Sequence, residues 1–308
     1  MAAIIEIKNR IKAVKNIGQI TKAMEVVAAT KMRKSQEVAL GSRPYAFKAM
    51  HLLSILAEFG TVKTKLMSVR PVKKTLLVVI SSDRGLAGSF NSQVFKAAEN
   101  FINNFNKDAG ELKLIAVGKK AISFVNKRKL PVFAEYKDFG DFIEPAETES
   151  LSKTITEGFL SGDWDRVITI STHFRTTLKQ EVLQRQLLPL DLERIRRTIT
   201  EIVPEHGKYS EMRGELLDYG KKRLEYKFEP TSEELIENLV KHLLAMEVYH
   251  VVLEANASEH SARMVAMKTA SDNAKELSGD LSLEFNKVRQ GGITKEIMEI
   301  TSGINTIQ

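Results

Sequence analysis

Asp83-Arg84-Gly85-Leu86-Ala87-Gly88 is the segment whose residue types come nearest to a chemical site. It follows an apolar run and precedes a helical stretch, and glycine turns at such a junction can cradle a phosphate on backbone N–H groups. The spacing is neither G-x-G-x-x-G nor G-x-x-x-x-G-K-[ST], and no acidic residue ends the next apolar run to hold a ribose. The plainer reading is a tight strand-to-helix turn. Six histidines are scattered along the chain, at positions 51, 173, 206, 242, 250 and 260. His242 and His250 are spaced to share a helix face, but no H-E-x-x-H or other metal-ligand pattern accompanies them. No nucleophile–base pair stands out. The chain has no cysteine, which excludes disulfides, thiolate metal sites and cysteine nucleophiles. The residues therefore assign no catalytic group, no cofactor and no metal.

A second feature is charge. The 308 residues carry a net charge of +7. Residues 1–48 hold ten Lys or Arg and three Glu, while the rest of the chain holds 36 of each sign, so the whole excess lies at one end. Lys8, Arg10, Lys12, Lys15, Lys22, Lys31, Arg33 and Lys34 crowd both sides of one apolar stripe. An acidic protein partner fits this better than nucleic acid, because aromatic interleaving is sparse and no nucleic-acid-binding module is recognisable. Composition is that of a globular protein, 43% apolar and 28% charged. No apolar run approaches the ~18 residues of a membrane span. Lys8, Arg10 and Lys12 interrupt the N-terminal apolar residues, unlike a signal peptide. These features lead to the expectation of a reducing, cytoplasmic-type compartment, with any membrane association made through partners.

The elements that would position these residues fall into four segments. Residues 1–58 read as one long helix, with apolar positions at Ile4, Ile7, Ile11, Val14, Ile17, Met24, Val27 and Ala28, the seam of a helix packed on another. Ser42-Arg43-Pro44 marks a kink or joint. Residues 75–190 alternate short apolar runs (76–80, 112–117, 166–172, with 181–190 as a further candidate) with helical stretches near 91–106, 119–128 and 147–161. That alternation predicts a parallel α/β, Rossmann-like domain. Residues 191–230 are polar and aperiodic, an insertion and connection. Residues 231–308 regain a helical period and contain no proline, so nearly 80 residues would extend about 110 Å, far beyond an ordinary globular helix. The adjacent Gly291 and Gly292 weaken it locally, by roughly 2 kcal/mol against alanine. The fold class that results is an α/β domain inserted between two long terminal helices that form an antiparallel coiled coil.

Four stretches in order then resemble one family. Residues 7–36, IKNRIKAVKNIGQITKAMEVVAATKMRKSQ, are similar to the N-terminal signature of the γ subunit of F-type ATP synthases. SSDRGLAGSFNS (81–92), ASEHSARMVAMKTASDNA (257–274) and NKVRQGGITKEIMEITSG (286–303) match further motifs of that family. The sequence departs from it where Ala87 stands in place of a common cysteine and where Gly291-Gly292 replaces better helix formers. It also lacks the cysteine pair of the thiol-regulated chloroplast form, and its 191–225 segment is longer than in many bacterial members.

The resemblance implies a rotor shaft and not an enzyme. Its coiled coil would turn inside a ring of three α and three β subunits, with catalytic sites on β. The globular end would bind the ε subunit and the membrane-embedded c ring, coupling proton flow to ATP synthesis at the cytoplasmic face of the bacterial membrane. Carried over residue by residue, Lys22, Met24, Arg289, Gln290, Thr294 and Glu296 match positions that face β. Arg263, Lys268 and Asp272 fall in the 257–274 motif, where some residues serve only to join the two helices. Tyr226, Phe228 and Glu229 match a segment at the foot that meets the c ring. Two other functions compete: a coiled-coil scaffold or nucleic-acid-associated protein using the basic end, and a nucleotide-dependent enzyme using the Asp83–Gly88 turn.

Overall fold

The computed structural model describes residues 2–41, 64–105, 110–140, 142–191 and 232–305. In order these form α1 (Ala2–Gly41), a short 3-10 turn (Lys65–Met67), β1 (Lys74–Ile80), α2 (Phe90–Asn104), β2 (Glu111–Val117) and α3 (Lys119–Lys127). There follow β3 (Val132–Tyr136), α4 (Pro145–Ser161), β4 (Arg166–Phe174), β5 (Gln180–Leu188) and α5 (Ser232–Asn305). The end of the 1–58 helix, the Ser42-Arg43-Pro44 joint and the 192–230 part of the insertion lie outside the described residues. The chain divides into two compact units, Met1–Thr30 with Arg263–Gln308, and Lys31–Ala262.

The first unit is a helix pair. Gly18 lies against Ala274 and accepts a hydrogen bond from Ser271 Oγ on its carbonyl (3.4 Å), while Gly292 lies near Ile4. As one number rises the other falls, so the pair is antiparallel. Protected positions on α1 recur at Ile4, Ile7, Ile11, Val14, Gly18, Thr21 and Ala28, the alternating spacing of three and four that makes a seam. This corrects the sequence reading at two places. Ile17 and Val27 are about half exposed, and the small residues Gly18 and Thr21 occupy the seam between them. Thr21 stays inside because its hydroxyl donates back to the Ile17 carbonyl (2.9 Å) and needs no water. Helix α5 runs unbroken through Gly291 and Gly292.

The second unit is built on a five-stranded sheet in the order β3-β2-β1-β4-β5. β1 pairs with β2 and β4 in parallel, as β2 does with β3. β5 runs antiparallel to β4, closing a hairpin through Thr176 and Lys179. The sheet is thus mixed, where a parallel one was expected, because a five-residue turn is too short for the crossover a parallel strand needs. β3 is an additional strand. Its apolar residues alternate with exposed ones, and it lies at the sheet edge, so it lacks the continuous apolar run that marks a strand buried on both faces.

Alternation along the central strands separates two cores. Leu76, Val78, Ile80, Ile115 and Val117 point to one face, where they meet α4 and the first turns of α5. Leu77, Val79, Leu114, Ala116 and Ile170 point to the other, against α2 and α3. Trp164 closes the first core: its indole N–H donates to the Ile155 carbonyl (3.0 Å), and its ring lies so close to Gly158 that only a residue without a Cβ fits.

Candidate functional site

The strand order 3-2-1-4 places a crevice beyond the C-terminal ends of β1 and β4, where open α/β sheets bind ligands. Its lip is the Asp83–Gly88 turn, and the structure shows what the turn does. Asp83 Oδ1 accepts the Lys119 N–H (2.8 Å), and Oδ2 accepts the Asp138 N–H (3.1 Å). Ser82 carbonyl takes the Lys120 N–H, and Ser81 Oγ takes the Ala121 N–H (2.6 Å). Three successive donors at the start of α3 are thus occupied by the chain itself. Leu86 and Gly88 take positive φ to make the turn. Ser82 is fixed from the other side by Asn91 (Nδ2 to Oγ, 2.7 Å). The segment is a structural turn that knots three strand ends together.

A shallow groove of about 490 Å³, lined by Phe101, Asn104, Phe105, Arg166 and Gln184, lies instead beside the start of β4, away from that crevice. Among the described residues, no three His, Asp or Glu side chains come together in a way that could hold a metal ion.

The helix pair has the surface that calls for a function. A two-helix coiled coil consumes one apolar stripe per helix. Here Ile5, Ile17, Ile20, Val26 and Val27 on α1 lie off the seam and are exposed, Ile20 by 60%. So are Leu277, Leu283, Ile293, Ile297 and Met298 on α5, Leu283 by 72%. Interleaved with them are the basic residues of α1. Such an apolar surface rimmed by charge marks a contact with another protein.

Of the six expected β-subunit contacts, five are exposed on the two helices and Met24 is half-buried. Lys22 is exposed and paired with Glu25 on its own helix (3.0 Å), and Met24 next to it is half-buried. Arg289, Gln290, Thr294 and Glu296 are all exposed on one stretch of α5, Thr294 Oγ1 donating to the Gln290 carbonyl (2.9 Å). In the 257–274 motif, Arg263 is buried whereas Lys268 and Asp272 are exposed. Tyr226, Phe228 and Glu229 lie outside the described residues.

One polar cluster is not foreshadowed by the sequence. His173 on β4, Arg185 on β5 and Glu254 on α5 meet in the interior of the second unit. Arg185 Nη1 donates to Glu254 Oε2 (2.9 Å), and His173 Nδ1 lies 3.0 Å from both that oxygen and Arg185 Nη2. Burial pushes the Glu254 carboxyl up, but His173 and Arg185 together outweigh it and hold the group below the ordinary glutamate value. The three residues are far apart in sequence and each is of an ordinary type, so no spacing signals them.

Surface and fold together define an antiparallel helix pair with apolar side chains exposed off its seam, and a mixed α/β domain. The comparisons with known proteins agree. The family model described as ATP synthase matches residues 3–307. The ATP synthase gamma chain of Roseiflexus castenholzii is 38% identical over 301 residues, covering 97% of this chain and 96% of that one. The gamma chain of Geobacter metallireducens is 37% identical over 313 residues, the full length of both. Among solved structures, a chain from the central stalk and c ring of Tetrahymena thermophila mitochondrial ATP synthase matches with a TM-score of 0.58 at 25% identity, over 82% of this chain and 99% of that one. A chain of the Euglena gracilis mitochondrial enzyme shares the fold, with a TM-score of 0.64 at 18% identity, over 99% of this chain and 95% of that one. The chain belongs to the ATP synthase γ-chain family.

Proposed function

We propose that this chain is the central rotor shaft of an F-type ATP synthase, its helix pair turning inside a ring of α and β subunits. It is a non-catalytic stalk subunit, and the catalytic sites lie on other subunits of the complex. The observation that carries the reading is the second set of apolar side chains on the helix pair, exposed in the chain by itself. Apolar contact is non-directional, so a greasy shaft surface can be held closely without bonds that resist turning. One asymmetric shaft also meets each of three equivalent sites differently at any instant, which is how rotation would drive them through different affinities.

Lys22, Met24, Arg289, Gln290, Thr294 and Glu296 would be the contacts to β, by their exposure on the shaft and the family motifs they belong to. Lys268 and Asp272 would serve contact, and the burial of Arg263 favours a role in joining the helices. Tyr226, Phe228 and Glu229 would meet the c ring. The ε subunit and c ring are the remaining partners. Among the described residues no helix is long and apolar enough to cross a membrane, so attachment would come through the c ring, and the bacterial relatives support a place on the cytoplasmic face. The basic stripe of α1 answers to acidic elements of β, which leaves the scaffold and nucleic-acid readings without an observation of their own.

Native mass spectrometry of the chain co-expressed with α and β subunits from its own source tests this. The expected mass is that of three α, three β and one copy of this chain. A folded chain that leaves the α–β ring unoccupied would overturn the reading.

A further inference from the structure

Along residues 240–262 helix α5 is buried almost all round, with Leu244, Val248, Val252 and Leu253 at 3% exposure or less. Apolar burial on this scale keeps a helix from leaving its bed. The interdigitated side chains also resist the helix turning about its own axis, and directional contacts add to that resistance. Besides Tyr249 Oη, which donates to the Ile143 carbonyl (3.0 Å), and Asn256 Oδ1, which accepts from Ser35 Oγ (2.8 Å), three residues with such contacts line up. Glu254, Ser258 and Ser261 follow the spacing of four and three that puts residues on one helix face. Glu254 accepts a charge-assisted hydrogen bond from Arg185 and lies 3.0 Å from His173 Nδ1. Ser258 Oγ donates to the Thr172 carbonyl (3.4 Å). Ser261 Oγ donates to the Thr177 carbonyl (2.7 Å) and accepts from Gln180 Nε2 (3.3 Å). Every partner comes from β4, β5 or the turn that joins them.

We propose that this polar stripe is a rotational key that locks the azimuth of α5 against the β4–β5 hairpin, so that the α/β domain and the shaft helix turn as one, with Glu254 as its main positioning residue. The idea rests on the shaft reading. The key takes load only if the helix carries torque, and the charged pair is its stiffest part because charge-assisted hydrogen bonds are roughly twice as strong as neutral ones.

The test is single-molecule rotation of the assembled complex. The chain has no cysteine, so a single cysteine at exposed Lys153 on α4 takes a bead on the α/β domain alone, with the α–β ring fixed to the surface. Glu254→Gln should at least double the angular variance of the bead during the ATP-waiting dwell, while ATP hydrolysis stays within twofold of the parent. Leu253→Ala, which removes buried apolar contact at a comparable or larger cost in stability, should broaden the variance less than Glu254→Gln does. Glu254→Asp should recover part of the stiffness. Unchanged variance in Glu254→Gln would overturn the proposal, and so would equal broadening in Leu253→Ala, which would make the effect one of packing. Should Glu254→Gln fail to assemble, Ser261→Ala takes its place: a smaller broadening supports the key, and none overturns it. Failure of the parent complex to assemble or turn would be a failure of the shaft reading itself.

Discussion

Gly158 and Trp164 show how little slack the second unit has. A Cβ on Gly158 would overlap the six-membered ring of the indole, whose N–H is already committed to Ile155. Gly158→Ala is expected to destabilise the chain by about 3 kcal/mol, the upper end of overpacking costs, measured as a shifted urea midpoint. An unchanged midpoint would mean that the indole moves freely. Next to it, Asp165 holds the start of β1: Oδ2 accepts the Lys73 and Lys74 N–H groups (2.9 and 3.0 Å), and Oδ1 forms an ion pair with Arg70 Nε (2.7 Å). Burial pushes this carboxyl up, but the backbone donors and Arg70 outweigh it and hold it below its ordinary value of 3.8. A depressed folded pKa makes its contribution to stability complete above the unfolded value and lost as the pH falls through the folded one. Asp165→Asn should therefore cost about 2 kcal/mol at pH 7. The gap between variant and parent should close progressively below pH 3.8. Unfolding curves across that range would reveal a constant gap if the charge were irrelevant.

At the scale of elements, α5 carries Gly291 and Gly292 without a break, and a Cβ at either place meets nothing closer than Ile4 Cδ1 at 3.9 Å. Neither glycine is required by packing. Replacing both by alanine is expected to stabilise the helix by about 2 kcal/mol, read from the melting temperature of the chain. A lower melting temperature would show that the pair serves a fit not visible in the helix itself. The terminal helices and three of the five strands were legible because each has a strong period or an unbroken apolar run. β3 was not, since an edge strand with Glu135 among its five residues shows only partial patterning. The orientation of β5 was not, since residue pattern carries no sense of direction. The seam of α1 was half legible. A sequence reader ranks isoleucine above glycine, so Ile17 took the place of Gly18, although closeness of approach to Ala274 is what the position demands. Of the functional surface, the motifs marked the stretches. The surplus of apolar side chains could be seen only once the seam was fixed and everything else on the helices could be counted as exposed. The Glu254 cluster joins three elements, and such a meeting belongs to the tertiary fold alone.

For the molecule as a whole, charge and grease are divided. The basic excess lies in residues 1–48, beside the exposed isoleucines and valines of α1, and in a complex both would face the enclosing ring. Met24→Lys puts a further cation beside Lys22 and its Glu25 partner on that surface. ATP hydrolysis by the assembled complex should survive, because no catalytic group is touched. Protons pumped per ATP should fall several-fold, since an added charge makes directional bonds where free passage is needed. Vesicles that acidify equally per ATP with variant and parent would argue against a sliding contact at Met24. The Asp83 turn has a consequence of another kind. Its carboxylate and the neighbouring Ser81 hydroxyl cap the start of α3 and tie it to the ends of β1 and β3. The clasp is made of the chain's own groups, so the ends of β1, β2 and β3 stay joined with no bound ligand.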